Sequence, residues 1–309
     1  MDILIPFEPI STEDFPTGPN WIGQVKWDGV RVVTYFDGQT VRLYNRKQNE
    51  RTYHYPELTD ITTYCSASSI ILDGEIIAFR EGKPSFYEVM KRDGLRKLDQ
   101  INLRRHTVPI TYMIFDVLFL EGKWVTSLPL TERQELLKKV IKPNETVQLV
   151  ENFNDASTLY EVIKQQEMEG VIIKDITSSY VINGKDSRWR KKKFYKDLIA
   201  VVGGVTLRDN IVNSLLLGLY NKNGLLVYIG HAGTGRLTNE DWRTLTKGIQ
   251  PLIQNNMPFA TPPPRNNSTI WLTPKITVKV KFAEWIEGHS LRQPSIQAIV
   301  TISPHDCRL

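Results

Sequence analysis

The chain reads as an α+β protein of two domains: a mixed domain over residues 1–197, then an all-β barrel over residues 198–309. Three observations predict this. A length of 309 residues suits about two domains. In the first part, β-rich runs alternate with segments of helical period. After a basic run, Lys185 to Lys196, the texture changes to short strand-like runs with one helix.

In chain order, Trp21 to Tyr44 reads as a meander of strands, with Asp28-Gly29 and Asp37-Gly38 as tight turns. Ser69 to Phe79 is a strand carrying Asp73-Gly74-Glu75 at its middle. Ser85 to Arg92 reads as a short helix capped by Ser85, with Glu88 at the capping-box position. Pro109 to Leu120 is a long apolar strand, and Thr131 starts a helix with its own N-cap signal. Ala156 to Glu167 is helical by spacing, with Leu159, Val162 and Ile163 on one face. Gly170 to Lys174 is a strand of the buried type.

Beyond the basic run, strands are expected at Leu198 to Leu207, Ser214 to Tyr220 and Leu225 to Ile229, with Asn223-Gly224 as a turn. A helix follows at Trp242 to Ile253, then a proline-rich loop at Pro258 to Pro264. Strands at Ile276 to Trp285 and Ile296 to Ile302 close the chain. Several strands and one helix in this length suit a small barrel of the OB-fold kind.

Composition narrows the partners. The formal net charge is +5, which favours a polyanion such as nucleic acid without requiring one. No stretch approaches the ~18–20 apolar residues that span a membrane, and residues 1–15 lack the basic start and apolar core of a signal peptide. Cys65 and Cys307 form no zinc spacing and no disulfide framework, so a reducing cytoplasm is the expected home.

The chemistry centres on Lys26-Trp27-Asp28-Gly29-Val30-Arg31. A lysine amine becomes a strong nucleophile once burial or neighbouring cations lower its pKa. The Asp28-Gly29 turn is expected to hold Lys26 at a rigid strand end and to return Arg31 as a phosphate clamp. The alternative is a surface hairpin with a solvated lysine. Further pieces follow: Arg46, Glu75, Phe115, then Glu169-Gly170-Val171-Ile172-Ile173-Lys174, then Lys191 and Lys193, which share one face if they lie on a strand. Singly, Phe115 is core, Glu75 a strand-end carboxylate and the lysines a solvated strip.

Taken in order, the set resembles the covalent nucleotidyltransferase superfamily and, within it, the ATP-dependent DNA ligases. Ile229-Gly230-His231-Ala232-Gly233-Thr234-Gly235, Val280-Lys281-Phe282-Ala283-Glu284-Trp285 and Leu291-Arg292-Gln293-Pro294 resemble the ligase domain of bacterial end-joining ligases. The resemblance implies a nucleotidyltransferase (ATP-grasp-like) adenylation domain, an OB-fold barrel, and a minimal two-domain core acting as a monomer. It implies ATP and Mg²⁺ (or Mn²⁺) as cofactors and nicked duplex DNA as partner. It also implies roles: Lys26 as the nucleophile that takes AMP, Lys191 and Lys193 at the α-phosphate, where they also depress the pKa of Lys26, and Glu169 at a divalent metal. Glu75 would bind the ribose, Phe115 would stack on adenine, and Arg31 and Arg46 would grip phosphate or ribose. Lys174 would line the base side, and Arg292 would orient pyrophosphate.

Two positions depart from the family pattern. Gln24 stands where a glutamate is usual; its amide can accept from the adenine amino group without the charge-assisted component. Pro294-Ser295-Ile296 stands where Pro-x-Phe is usual. The competing readings are an RNA ligase or mRNA guanylyltransferase of the same superfamily, and a non-enzymatic nucleic-acid-binding OB module.

Overall fold

The computed structural model describes residues 2–309 apart from Arg265, Glu287 and His289. The chain divides into two units, Met1–Phe194 and Tyr195–Leu309. The division precedes Asp197 because Lys196 and Asp197 already pair with Phe282 and Lys281 in the second unit's sheet.

The first unit runs β1 (Glu8–Ser11), β2 (Trp21–Val25), β3 (Val30–Phe36), β4 (Val41–Asn45), β5 (Ile70–Ile77), α1 (Phe86–Asp93) and α2 (Leu98–Thr107). It continues with β6 (Thr111–Leu120), α3 (Leu130–Val140), β7 (Val147–Leu149), α4 (Ala156–Gln165), β8 (Gly170–Asp175) and β9 (Lys185–Lys193). The strands build two sheets, ordered β1-β9-β8-β2 and β7-β6-β5-β3-β4. One face of the first sheet is sealed by α4, whose Leu159 and Ile163 meet Val171 and Ile173 of β8. The second sheet buries Val32, Leu72, Ile76, Tyr112 and Ile114 in the main core, with α3 packed on β6.

Several sequence expectations are corrected here. Asp28-Gly29 does not close a hairpin: β2 and β3 lie in different sheets, and the pair marks the corner between them. Glycine is needed at 29 because the chain crosses the edge of β5; a Cβ there would lie 2.1 Å from the Ile76 carbonyl oxygen. Asp37-Gly38 does form the expected β3–β4 turn, with Asp37 Oδ1 accepting from the Gln39 and Thr40 N–H groups. Ser85 caps α1 as expected, but Glu88 pairs with Lys91 instead of completing the capping box. Pro129, not Thr131, is the N-cap of α3 and supplies no side-chain bond. Val162 is exposed, since only Leu159 and Ile163, four residues apart, lie along the buried line of α4. Helix α2 escaped the sequence reading because it buries Ile101 alone and so lacks an apolar period.

The second unit runs β10 (Lys196–Arg208), β11 (Ile211–Tyr220), β12 (Leu226–Ala232), α5 (Asn239–Gly248), β13 (Ile270–Phe282), β14 (Glu284–Ile286), β15 (Ser290–Arg292) and β16 (Ser295–Val300). Helix α5 starts earlier than expected, at a capping box between Thr238 and Asp241, and stops at Gly248. Ile253, expected at the helix end, begins a short strand that pairs with Leu272 of β13.

The sheet β12-β11-β10-β13, extended by β16, curls until its ends meet. Just past β12, Ile296 of β16 donates to the Thr234 carbonyl and accepts from the Arg236 N–H, both at 2.8 Å. These bonds close an OB-type barrel around Val201, Leu217, Ile229, Leu272, Val280 and Ile296. The closure needs Gly235: its φ is +147°, and a Cβ would fall 1.9 Å from the Ile296 oxygen. Among the described residues, no helix is long and apolar enough to cross a membrane. Cys65 and Cys307 are free and buried.

Gly235→Val is therefore expected to cost about 2–4 kcal/mol by overpacking and strain at the seam. Urea denaturation followed by tryptophan fluorescence checks this; an unchanged midpoint would show that the seam tolerates a side chain.

Candidate active site

A cavity of about 530 Å³ opens in the first unit, lined by residues of both sheets. The sheet made of β9, β8 and β2 presents alternate residues to it, because side chains on a strand alternate between faces. Cross-strand pairing sorts them into rows. Trp189, Lys174 and Ile22 form one row; Lys191, Ile172 and Gln24 form the next. In the third, Gly170 is paired with Lys193 on one side, and its carbonyl accepts from the Lys26 N–H at 2.9 Å on the other.

The third row carries the ion cluster. Glu169 Oε2 accepts from Lys26 Nζ at 2.5 Å, and Oε1 pairs with Lys193 Nζ at 2.8 Å. The neighbouring Gly170 lets β9 approach this closely: its φ is +145°, and a Cβ would lie 2.2 Å from the Lys192 carbonyl oxygen. The Glu-Gly pair is thus one device, a carboxylate between two amines beside a glycine that admits the strand bearing one of them.

This geometry overturns one expectation. Lys26 was expected to have a depressed pKa. Burial does pull it down, but Glu169 and then Glu75 outweigh burial, and the net shift is upward. Lys191 shifts the other way, through burial first and then the nearby Lys193 and Lys26. Glu75, half-buried and without an ion pair to either Lys26 or Arg31, is pushed up to about 8 by burial, which those two cations only partly offset. In this arrangement the Lys26 amine rests as an ammonium ion held by Glu169.

The second sheet supplies the opposite wall. Arg31 is paired with Glu75 across β3 and β5, and Phe115 comes from β6. Asp73 pairs with Asp116 while Gly74 pairs with Ile114, so Phe115 is the extra residue of a β-bulge, a device that re-aims a side chain. Phe115 meets the Trp189 indole edge-on at 6.0 Å.

Arg31 is corrected from phosphate clamp to structural anchor. Its Nε and Nη2 donate to the two oxygens of buried Asp73 at 2.9 and 2.6 Å, and Nη1 donates to the Phe7 carbonyl. A fork spent on protein acceptors has little left for phosphate. Arg46 remains at the rim, paired with Glu8 at 3.1 Å. Lys174 is fully buried with no hydrogen-bond partner for Nζ, which lies 3.9 Å from the Trp189 ring centroid and 4.4 Å from that of Phe115. Burial draws its pKa down to about 7. Arg292 belongs to the second unit, on β15, where it pairs with Glu284 of β14 at 2.8 Å.

Sequence reasoning missed Trp189, two residues before Lys191, and Ile172, two before Lys174, although each follows the period-2 spacing of its own strand. It also missed Asn152, whose Oδ1 accepts from Gln24 Nε2 at 2.7 Å; no local signal marks that residue.

Comparison with known proteins places the chain in a group. Residues 11–193 match the family model described as ATP dependent DNA ligase domain, and residues 208–300 match the ATP dependent DNA ligase C terminal region. The chain is 26% identical over 282 residues to a multifunctional non-homologous end joining protein LigD of Mycolicibacterium smegmatis, covering 89% of this chain and 35% of that one. It is 28% identical over 286 residues to a DNA ligase of Archaeoglobus fulgidus, covering 87% and 49%. It thus spans about a third to a half of these relatives. Among solved structures, the ligase domain of M. tuberculosis LigD superposes with a TM-score of 0.52 at 25% identity, covering 99% of this chain and 98% of that one. A Lig E DNA ligase shares the fold at a TM-score of 0.61 and 17% identity, covering 95% and 99%.

Lys174→Met removes a buried, unpartnered amine of similar bulk. Because the folded-state pKa lies below the ordinary 10.5, the lysine's burden on stability is full below about pH 7 and fades as pH rises towards 10.5. The variant is expected to melt higher than the parent at pH 7, with the gap narrowing by pH 10 in thermal scans. A gap that widens with pH would show that the amine is stabilising.

Proposed function

The chain belongs to the ATP-dependent DNA ligase family, and from that premise we propose that it seals 5′-phosphate/3′-hydroxyl nicks in duplex DNA through a lysyl-AMP intermediate. One observation carries the reading: a lysine amine on the cavity wall, held by one carboxylate and flanked by two further lysines.

In the first step Lys26 Nζ, having lost a proton, attacks the α-phosphorus of ATP. An N–P bond forms, the bond to pyrophosphate breaks, and pyrophosphate leaves. In the second, a 5′-phosphate oxygen of DNA takes the AMP from Lys26. In the third, the 3′-hydroxyl attacks that activated phosphate and AMP departs. Lys191 and Lys193 are suited to offset charge growing on the α-phosphate oxygens. Phe115, aimed by its bulge, offers a flat face for the base, worth roughly 1–3 kcal/mol by analogy with other stacked bases. Glu75, with no ion pair to either neighbouring cation, offers an acceptor for ribose hydroxyls. Arg46 at the rim is free of the buried network and suits phosphate contact.

Among the described residues there is no cluster of three or more acidic, His or Cys side chains for an all-protein metal cage. Glu169 is the carboxylate that would hold Mg²⁺ together with substrate phosphates, and since both its oxygens hold lysines here, one of those pairs would have to open for the cation. When bound, the cation would supply charge neutralisation at the phosphates.

Incubation with ATP and magnesium is expected to add the mass of AMP to the intact chain, and Lys26→Ala is expected to abolish both that adduct and nick sealing. Joining without an adduct, or labelling from GTP and not ATP, would overturn the reading. Arg292 is assigned to the same first step, where the leaving pyrophosphate needs a cation. Arg292→Ala is expected to slow adduct formation at least tenfold more than sealing of a pre-adenylated nick; equal losses in the two assays would refute that assignment.

A further inference from the structure

Gln24 is 2% exposed, lines the cavity and is tied back by its amide nitrogen. Its Nε2 donates to Asn152 Oδ1 at 2.7 Å. Asn152 in turn makes a reciprocal pair with Gln134 of α3: Asn152 Nδ2 donates to Gln134 Oε1 at 2.6 Å, and Gln134 Nε2 donates to Asn152 Oδ1 at 3.1 Å. Three amides from β2, α3 and the segment after β7 therefore form one relay. The side-chain oxygen of Gln24 is the group left over for the cavity.

The relay is built into the backbone. Gly23 and Phe153 exchange N–H···O bonds of 2.7 and 2.9 Å, which sets Asn152 beside Gln24. Gly23 permits this approach, since a Cβ there would lie 2.8 Å from Ala156 Cα at the start of α4. Gln24 shares its row with Ile172, and Ile172 lines the same cavity as Phe115.

We propose that Asn152 and Gln134 are positioning residues that set the purine specificity of the nucleotide site through the orientation of the Gln24 amide. The proposal rests on the ligase reading above. A carboxylate at this position accepts hydrogen bonds whichever way it turns. An amide has two different ends, and its selectivity depends on which end is tied back. In the observed orientation Nε2 is tied and Oε1 meets the base, an acceptor matched to the 6-amino group of adenine and opposed to a 6-oxo group. Reversal of Gln24 alone would set its Oε1 against Asn152 Oδ1, so the amide can turn its N–H to a 6-oxo purine only if Asn152 and Gln134 turn with it. Base choice is thus a joint property of three side chains.

The test compares lysyl-nucleotide formation from ATP and from inosine triphosphate, which differs by the 6-oxo group and its N1–H, with magnesium in both. Asn152 is exposed, so its substitution should leave the fold intact. Asn152→Ala releases Gln24 and is expected to raise the ITP:ATP rate ratio about tenfold, the value of one mismatched buried polar contact. Asn152→Asp can only accept, which forces both glutamines to donate to it; the ratio should stay at or below that of the parent. In a Gln24→Glu background, where no orientation is needed, Asn152→Ala should leave the ratio flat. A rise below twofold for Asn152→Ala, a rise with Asn152→Asp as well, or a shift in the Gln24→Glu background would each overturn the relay. If the parent forms no adduct from ATP, the ligase reading falls and takes the relay with it; adduct formation with a ratio insensitive to residue 152 sinks the relay alone.

Discussion

The Glu169 carboxylate, shared between the amines of Lys26 and Lys193, is the interaction on which the site is organised. Burying one acid between two bases is favourable only when both oxygens find partners, since an unpaired buried charge is costly. Both do here, because Gly170 admits β9 close enough for Lys193 to reach. The cluster has a chemical consequence. It keeps the proposed nucleophile charged at rest, so a substrate that weakens the grip of Glu169 also frees the amine.

The rest of the cavity follows from strand periodicity. Rows of alternate residues run across β9, β8 and β2, from aromatic and buried amine at one end to the ion cluster at the other. Facing them, a bulge in β6 turns Phe115 out of register. Asp73 and Asp116, both fully buried, are each held by an arginine fork, Arg31 and Arg133. Those pairs anchor the wall behind the cavity and explain why Arg31, though it follows the Asp-Gly corner closely, is spent on structure.

Close backbone approaches recur where the fold changes direction. Gly29 lets the chain pass from one sheet to the other, Gly170 draws two strands together at the site, and Gly235 lets the barrel close on Ile296. In each case a methyl group would overlap a carbonyl oxygen, so the constraint is steric rather than a matter of turn preference.

The sequence by itself determined the longer strands, the helices that carry a cap or an apolar line, the change of texture after Lys196, and which residues could share a face; it did not determine α2, β1 or β7. Lys191 and Lys193 two apart, or Leu159 and Ile163 four apart, are local facts that backbone period makes legible. Only the tertiary structure decided what those residues meet. Asp28-Gly29 looked like a hairpin because the same dipeptide serves turns and corners alike. The lysine expected to lose charge gained carboxylate neighbours, one of them 143 residues away in the chain. Gln24 depends on an amide 128 residues away that no periodicity marks. Side-chain direction follows from local geometry, whereas hydrogen-bond partnership and the field at a titrating group are set by atoms that only folding brings together.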